Sequence, residues 1–305
     1  MDRQPPGDRI AVTCLNADST ALSSGPASTT KPNGCRTTCG DCTLRHLCLA
    51  LCLDVDELSS FADLVGNWRV VHHREALFRR GDHLRSLYVL RTGSIKTVVS
   101  GPDGSEHVSG FRIAGEILGL DAIVHGEHAC DAVALEYSTV CVIPFLALET
   151  LCGKLAHLQQ HFHRVLSAEI VRGTTWAMVL AAMKAEQRVA AFLLDISKRL
   201  QQRGYSHRNL TLRMSREDIG NHLGMRLETV SRTLSQFQQE GLLRVNDRHI
   251  VLTDLERLRT MSALHAGAPS LQMAPANGPV AALTPTVAFS GSRFCAAGLT
   301  ALSAA

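Results

Sequence analysis

The chain of 305 residues reads as an α+β protein: a small antiparallel β-domain, one long helix and a C-terminal helix-turn-helix with a wing. Three observations predict this. Short apolar strands punctuated by glycine run from Phe61 to Phe145. The stretch from Leu155 to Lys184 contains no proline and only Gly173 as a breaker. From Arg213 to Leu252 a short helix, a glycine turn, a second helix and two short strands follow in order.

In the β-domain, Leu87 and Val89, then Ile95, Thr97 and Val99, alternate across Arg91-Thr92-Gly93, and Gly101-Pro102-Asp103-Gly104 is a turn signal. Gly81, Gly93, Gly115 and Gly119 punctuate apolar strands, as expected where a corner needs positive φ or close backbone approach. On the long helix, Phe162, Leu166, Ile170, Gly173, Ala177 and Leu180 recur at steps of three or four and share one seam, while Trp176, Val179 and Met183 form a second. A helix with two apolar stripes packs one against its own domain and offers the other to a partner. The expectation is a parallel homodimer with Phe162, Leu166, Ile170, Gly173 and Ala177 at its interface; the alternative is a helix buried within one chain.

The C-terminal segment opens with Ser215, places Asp218 three residues later and closes its first helix on Gly224, a residue that favours a sharp turn. Helical spacing resumes from Met225 to Glu240 through Leu227, Val230, Leu234 and Phe237. Arg226, Glu228, Ser231, Arg232 and Gln236 then share the opposite, polar side, as a reader of the DNA major groove requires. Leu242 to Val245 and His249 to Leu252 flank Asn246-Asp247-Arg248 as two strands of a wing.

The residues divide into 1–34, an aperiodic tail rich in Ser, Thr, Pro, Gly and Ala; 35–52, rich in cysteine; 53–154, the β-domain; 155–184, the long helix; 185–265, the helix-turn-helix domain; and 266–305, a tail whose only charged side chain is Arg293. Both tails are expected to be disordered. A formal charge of +3 is only mildly basic, so any nucleic-acid surface must come from local clustering. The longest apolar run, Trp176 to Met183, is far short of a membrane span, and no secretion signal opens the chain, so a cytoplasmic protein away from membranes is expected.

Ten cysteines in a cytosolic chain stay reduced, which makes metal or cluster ligation the leading use for Cys35, Cys39, Cys42 and Cys48. Four thiolates suit an iron-sulfur cluster or a tetrahedral zinc ion equally. A local zinc site built from these four is one alternative, and a redox-sensing thiol site another. A thiol oxidoreductase using Cys39-Gly40-Asp41-Cys42 needs a strand before the motif, and a Ser/Thr/Pro-rich tail stands there instead, so no enzyme is expected. Cys52, Cys130 and Cys152 read as packing residues. Cys14 and Cys295 fall in the tails.

In order and spacing, the segments Gly34 to Cys48, Leu87 to Lys96, Ala134 to Phe145 and Leu212 to Leu243 resemble the cyclic AMP receptor protein superfamily, and within it the fumarate and nitrate reduction branch of oxygen-responsive transcription regulators. The resemblance covers about Cys35 to Leu258. It implies a cyclic-nucleotide-binding-like β-roll as sensor domain and a 4Fe-4S cluster held by Cys39, Cys42, Cys48 and Cys141, with Cys35 a non-ligating neighbour. The family's Glu-x-x-Ser-Arg pattern falls on Glu228, Ser231 and Arg232, which implies a palindromic target resembling TTGAT-NNNN-ATCAA, bound as double-stranded DNA by a homodimer that activates anaerobic genes through RNA polymerase. Arg226 and Arg216 complete the expected DNA-binding set; Arg199, Arg203, Arg208 and Arg213 are assigned to phosphates or to solubility alone. The Arg-Ser pair that clamps a cyclic phosphate is replaced by Ala129 and Cys130, and Glu116, which resembles the sugar contact, cannot bind an anion, so cyclic AMP is not expected as effector. The turn Gly101 to His107 lies where the family places a polymerase contact. Where the family often carries an acid three residues after the seam isoleucine, this chain has Gly173, which implies a bias toward dimer.

Overall fold

In the computed structural model, the described residues are 39–65, 67–101 and 103–263. The segments 1–38 and 264–305, with Cys14, Cys35 and Cys295 and the whole of both tails, lie outside them.

The described chain opens with two single-turn 3-10 helices, Arg45–Leu47 and Leu49–Cys52, followed by helix α1 (Val55–Leu64). This corrects the expectation of strand from Phe61. Asp54 accepts from the Glu57 amide and Glu57 returns the bond to the Asp54 amide, a reciprocal cap that nucleates a helix whose Leu58 and Phe61 turn inward together.

Eight strands then build the β-domain: β1 (Asn67–Val71), β2 (Ala76–Phe78), β3 (Ser86–Thr92), β4 (Ser94–Ser100), β5 (Glu106–Ile113), β6 (Ile117–Leu118), β7 (Asp131–Ala134) and β8 (Ser138–Pro144). They form two four-stranded antiparallel sheets, ordered β1-β8-β3-β6 and β2-β7-β4-β5. Inward alternation holds for Leu87, Val89 and Ile95, but a register shift between Thr97 and Val98 flips the end of β4, so Val98 is buried and Val99 exposed.

Helix α2 (Phe145–Lys154) leads into α3 (Ala156–Ala182), the long helix anticipated from the break-free stretch. Among the described residues α3 alone is long and apolar enough to cross a membrane, by length and composition. Here it lies against the β-domain, to which it is tied by the Arg112–Glu169 and Glu116–Arg172 ion pairs. Its second stripe packs inward, with Val179 and Met183 buried and Trp176 against the core. Ile170 on the first stripe is 70% exposed, Gly173 and Ala177 are exposed, and Phe162 and Leu166 are half-buried.

The C-terminal part comprises α4 (Ala185–Gln201), β9 (Asn209–Thr211), α5 (Arg216–His222), α6 (Leu227–Gln239), β10 (Leu243–Asn246), β11 (His249–Leu252) and α7 (Leu255–Ser262). The wing has the expected two strands plus β9, giving the order β10-β11-β9. Strand β9 is three residues long, too short for a periodicity to announce it. The core of this domain gathers Phe192, Leu193, Leu223, Val230, Phe237, Leu242 and Ile250.

Candidate functional site

The reading head is assembled locally. Ser215 caps α5 through a reciprocal bond with Asp218, and Gly224, at φ 62°, turns the chain toward α6. A Cβ on Gly220 would stand 2.6 Å from the Met225 carbonyl oxygen, so the close crossing of the two helices requires glycine there. Helix α6 buries Val230, Leu234 and Phe237 and exposes Arg226, Glu228, Arg232 and Gln236, with Ser231 half-buried. Leu227, expected on the inner row, is 43% exposed, because it is the first residue of the helix and stands before its packed turns. Arg216 Nη2 donates to the Asp247 carbonyl (3.3 Å), and Arg216, Ser215, Asp247 and Arg248 share a cavity of about 210 Å³ between α5 and the wing.

Two of the arginines assigned to phosphates or solvent are elsewhere. Arg199 is buried, with Nε and Nη2 on the two Glu116 oxygens and Nη1 on Asp195 (3.0 Å). Arg203 Nη2 also meets Glu116 (2.9 Å), and Arg172 stands 3.6 Å away. Burial alone would push the Glu116 carboxyl up, yet Arg199, Arg172 and Arg203 hold it well below the usual carboxylate range. Cationic residues on the polar turns of α4 look solvent-facing in sequence; only the fold reveals the acid they converge on. Arg213 pairs with Glu136 (3.1 Å), and Arg208 donates to the Thr253 carbonyl (3.0 Å).

A second set of contacts joins α5 to the β4–β5 hairpin. Asn221 accepts from the Val108 amide (2.6 Å) and donates to the Glu106 carbonyl (2.7 Å), pairing with the strand as another strand would. His222 Nδ1 donates to the Val108 carbonyl (2.9 Å), and Lys96 Nζ donates to Asp218 (2.6 Å). Such long-range pairs leave no local signal in sequence.

At the other end, Cys39, Cys42, Cys48 and Cys141 line one cavity, whose walls are Leu44, Ala50, Phe61, Val65, Val89 and Ile143, with Arg45 and Arg91 as its cations. Three of the cysteines come from the segment before α1. The fourth arrives on β8, paired across the sheet with Trp68 on one side and Val89 on the other. Burial pushes the Cys48 thiol up to about 11 and the Cys141 thiol up to about 12, the neighbouring thiols adding to the effect; burial also raises Cys39. Arg45 fastens the loop by donating to the carbonyls of Ala50 (3.4 Å) and Leu53 (2.6 Å). His161 of α3 contacts the Cys48 carbonyl (3.4 Å), so the cysteine loop rests on the long helix. No group of three or more His, Cys, Asp or Glu side chains among the described residues closes tightly enough to hold a single ion. Cys130 and Cys152 are buried away from this cavity, and Cys52 packs beside the core, as packing residues do.

Two domain families match the chain: a cyclic nucleotide-binding domain over residues 68–154 and a Crp-like helix-turn-helix domain over 187–261. The fumarate and nitrate reduction regulatory protein of Salmonella typhimurium is 39% identical over 229 residues, covering 75% of this chain and 92% of the relative. The protein of that name from Escherichia coli has the same identity and coverage. Among solved structures, FixK2 from Bradyrhizobium japonicum superposes with a TM-score of 0.61 at 28% identity, covering 66% of this chain and 98% of that one. A CooA mutant from Carboxydothermus hydrogenoformans shares the fold, with a TM-score of 0.53 at 20% identity over 65% of this chain and 88% of that one. A two-sheet β-domain, a long helix with an open seam and a winged reading head, in a chain this similar to named regulators, are those of a DNA-binding transcription regulator and not an enzyme: the chain belongs to the FNR branch of the Crp/FNR family.

Proposed function

We propose that this regulator responds to oxygen through a 4Fe-4S cluster held by Cys39, Cys42, Cys48 and Cys141, and binds palindromic DNA as a homodimer while the cluster is intact, controlling anaerobic and microaerobic genes in the cytoplasm. The observation that carries this reading is Cys141, brought by β8 to the cavity that the three loop cysteines line. It favours a four-thiolate set that includes the β-domain over a local zinc site using Cys35. The donor set fits the cluster: a cube places each thiolate on a different iron, whereas zinc draws four sulfurs to within about 2.3 Å of one point. The lining of this cavity supplies four thiols, the number such a cluster takes. Buried thiolates without a cation are unfavourable, which the raised thiol values express. The cluster supplies an oxygen-labile link between the loop and β8.

The way from this site to DNA runs through α3. The loop touches α3 at His161, beside Phe162, and the seam Phe162, Leu166, Ile170, Gly173 and Ala177 serves as dimer interface. Pairing sets two reading heads about one helical turn apart on the duplex. Arg232 pairs with guanine, Glu228 accepts from a cytosine amino group, Ser231 serves either polar edge, and Arg226 and Arg216 approach the backbone. The functional units are the cysteine segment 35–52, the sensor domain 53–154, the dimerisation helix 155–184 and the DNA-binding domain 185–265. Cyclic AMP has no place in this reading, which is supported by the arginines that engage Glu116 and by the Ala129 amide and Cys130 thiol facing Asp121, an anion. The exposed turn between β4 and β5 is the RNA polymerase contact.

Protein purified without oxygen, assayed for iron, acid-labile sulfide and visible absorption and then exposed to air, tests the reading. Brown protein with about four irons per chain that bleaches as DNA binding falls supports it. Colourless protein holding stoichiometric zinc, or binding DNA equally in both conditions, overturns it.

A further inference from the structure

Arg91 stands beside the cysteine cavity for a structural reason. In the β3–β8 pairing Leu90 faces Val140 and Thr92 faces Thr139, so Arg91 is the extra residue of a β-bulge. A bulge re-aims a side chain out of the regular alternation of a strand. Here it carries the guanidinium to the wall of the cavity that Cys39, Cys42, Cys48 and Cys141 line, with its central carbon 3.7 Å from the centre of the Trp68 ring. Trp68 is the residue paired directly opposite Cys141 in the β1–β8 ladder. The indole thus holds the cation over the row that contains the β-domain thiol, although Trp68 is itself 44% exposed. Arg45, the other cation of the cavity, is engaged with backbone carbonyls of the loop. A guanidinium on an aromatic face is held by the ring quadrupole and stays charged at every accessible pH.

We propose that Arg91, clamped by Trp68, is a positioning residue that acts as the counter-ion of the cysteine site and slows oxidative loss of the cluster. The inference rests on the four-thiolate reading given above. A bound cluster would give up one electron to dioxygen on oxidation, the dioxygen leaving as superoxide, and the site would become less negative by one charge. A fixed positive charge beside it stabilises the more negative state, and cluster potentials respond to local charge and to hydrogen bonds at sulfur.

The test compares wild type, Arg91→Lys, Arg91→Gln and Trp68→Leu, each purified as the full chain without oxygen and assayed for iron and sulfide before air is admitted. Expected are equal iron contents, an Arg91→Gln protein that loses its visible absorption about tenfold faster, equivalent to roughly 1.4 kcal/mol, a Lys variant close to wild type, and a Trp68→Leu rate in between. Raising the salt concentration should narrow the gap between Gln and wild type. Equal bleaching rates for wild type and the Gln variant at equal iron content overturn the proposal. If the Gln variant holds no iron, the Lys variant decides: retention of iron at the wild-type rate supports a role for charge, and loss in both overturns it. Wild type without iron strikes instead at the cluster reading on which the proposal rests.

Discussion

Arg199 grips Glu116 end-on, with Nε and Nη2 each donating to one carboxylate oxygen at 2.9 and 2.6 Å. One residue belongs to α4, at the start of the C-terminal part, and the other to the β-domain. Glu116 is thus a junction between the β-domain and the helices that lead to the reading head. Truncating one partner of such a buried pair leaves the others uncompensated, at a cost of about 3–5 kcal/mol. Glu116→Gln is therefore expected to lower the urea midpoint strongly, because Arg199 and Arg172 then have Asp195 alone as a carboxylate partner and Arg203 loses the one it shared with them. An unchanged midpoint would show that the junction contributes nothing to stability.

His222 makes stability depend on pH. Burial among Phe111, Trp176 and Phe192 lowers its pKa from the ordinary 6.5 to about 4, against the opposing hydrogen bond to Val108. Between those values the unfolded chain takes up a proton that the folded chain refuses, so this stability is present above about 6.5 and is lost as the pH falls toward 4. The full effect is roughly 3 kcal/mol. His222→Gln should flatten the dependence in that window, measured as urea midpoints across the range; equal slopes in both proteins would refute the assignment.

Gly173 is exposed on α3 with open space around its α-carbon. Gly173→Asp should leave the monomer folded and weaken pairing, since two carboxylates would meet across a parallel seam. Gly173→Ala should stabilise the helix by up to about 1 kcal/mol. Sedimentation of air-exposed wild type is expected to retain dimer; a pure monomer there, or a dimer unaffected by Asp, would remove glycine from the account.

Arg232→Ala is expected to weaken binding to the palindrome by about 1–3 kcal/mol and to relax preference at one base pair in each half-site. Arg226→Ala should weaken all sequences alike and reduce the salt slope. Titration of specific and scrambled duplexes at several salt concentrations distinguishes the two.

Cys141→Ser should abolish iron retention, whereas Cys130→Ser and Cys152→Ser should keep it while lowering stability, their side chains being buried in the core. Iron analysis of anaerobic protein separates the groups. Loss of iron in all three alike would indicate unfolding, not ligation.

What the sequence disclosed and what it hid divide by range. Ser215, Asp218 and Gly224 act within a few residues of themselves, so the reading head was legible, and the two stripes of α3 were legible because a helical period exposes them. Leu227 and Val99 were misplaced by one local event each, a helix start and a register shift that alternation does not reveal. Arg199, Arg203, Asn221 and His222 find partners about 80 to 115 residues away, and no short window contains both ends of such a contact. Arg91 combines the two difficulties, for its bulge is set by pairing with a strand nearly fifty residues downstream.

The hairpin that α5 grips at Glu106 and Val108 ends in the exposed turn around Asp103 and Gly104. Its two ends are a single short lever. Under the proposed reading of this turn as a polymerase contact, a protein seated on it would pull on the same backbone that holds Asn221 of α5. Occupancy of the turn and occupancy of the reading head would then form one linked equilibrium, in which each strengthens or weakens the other by the same factor.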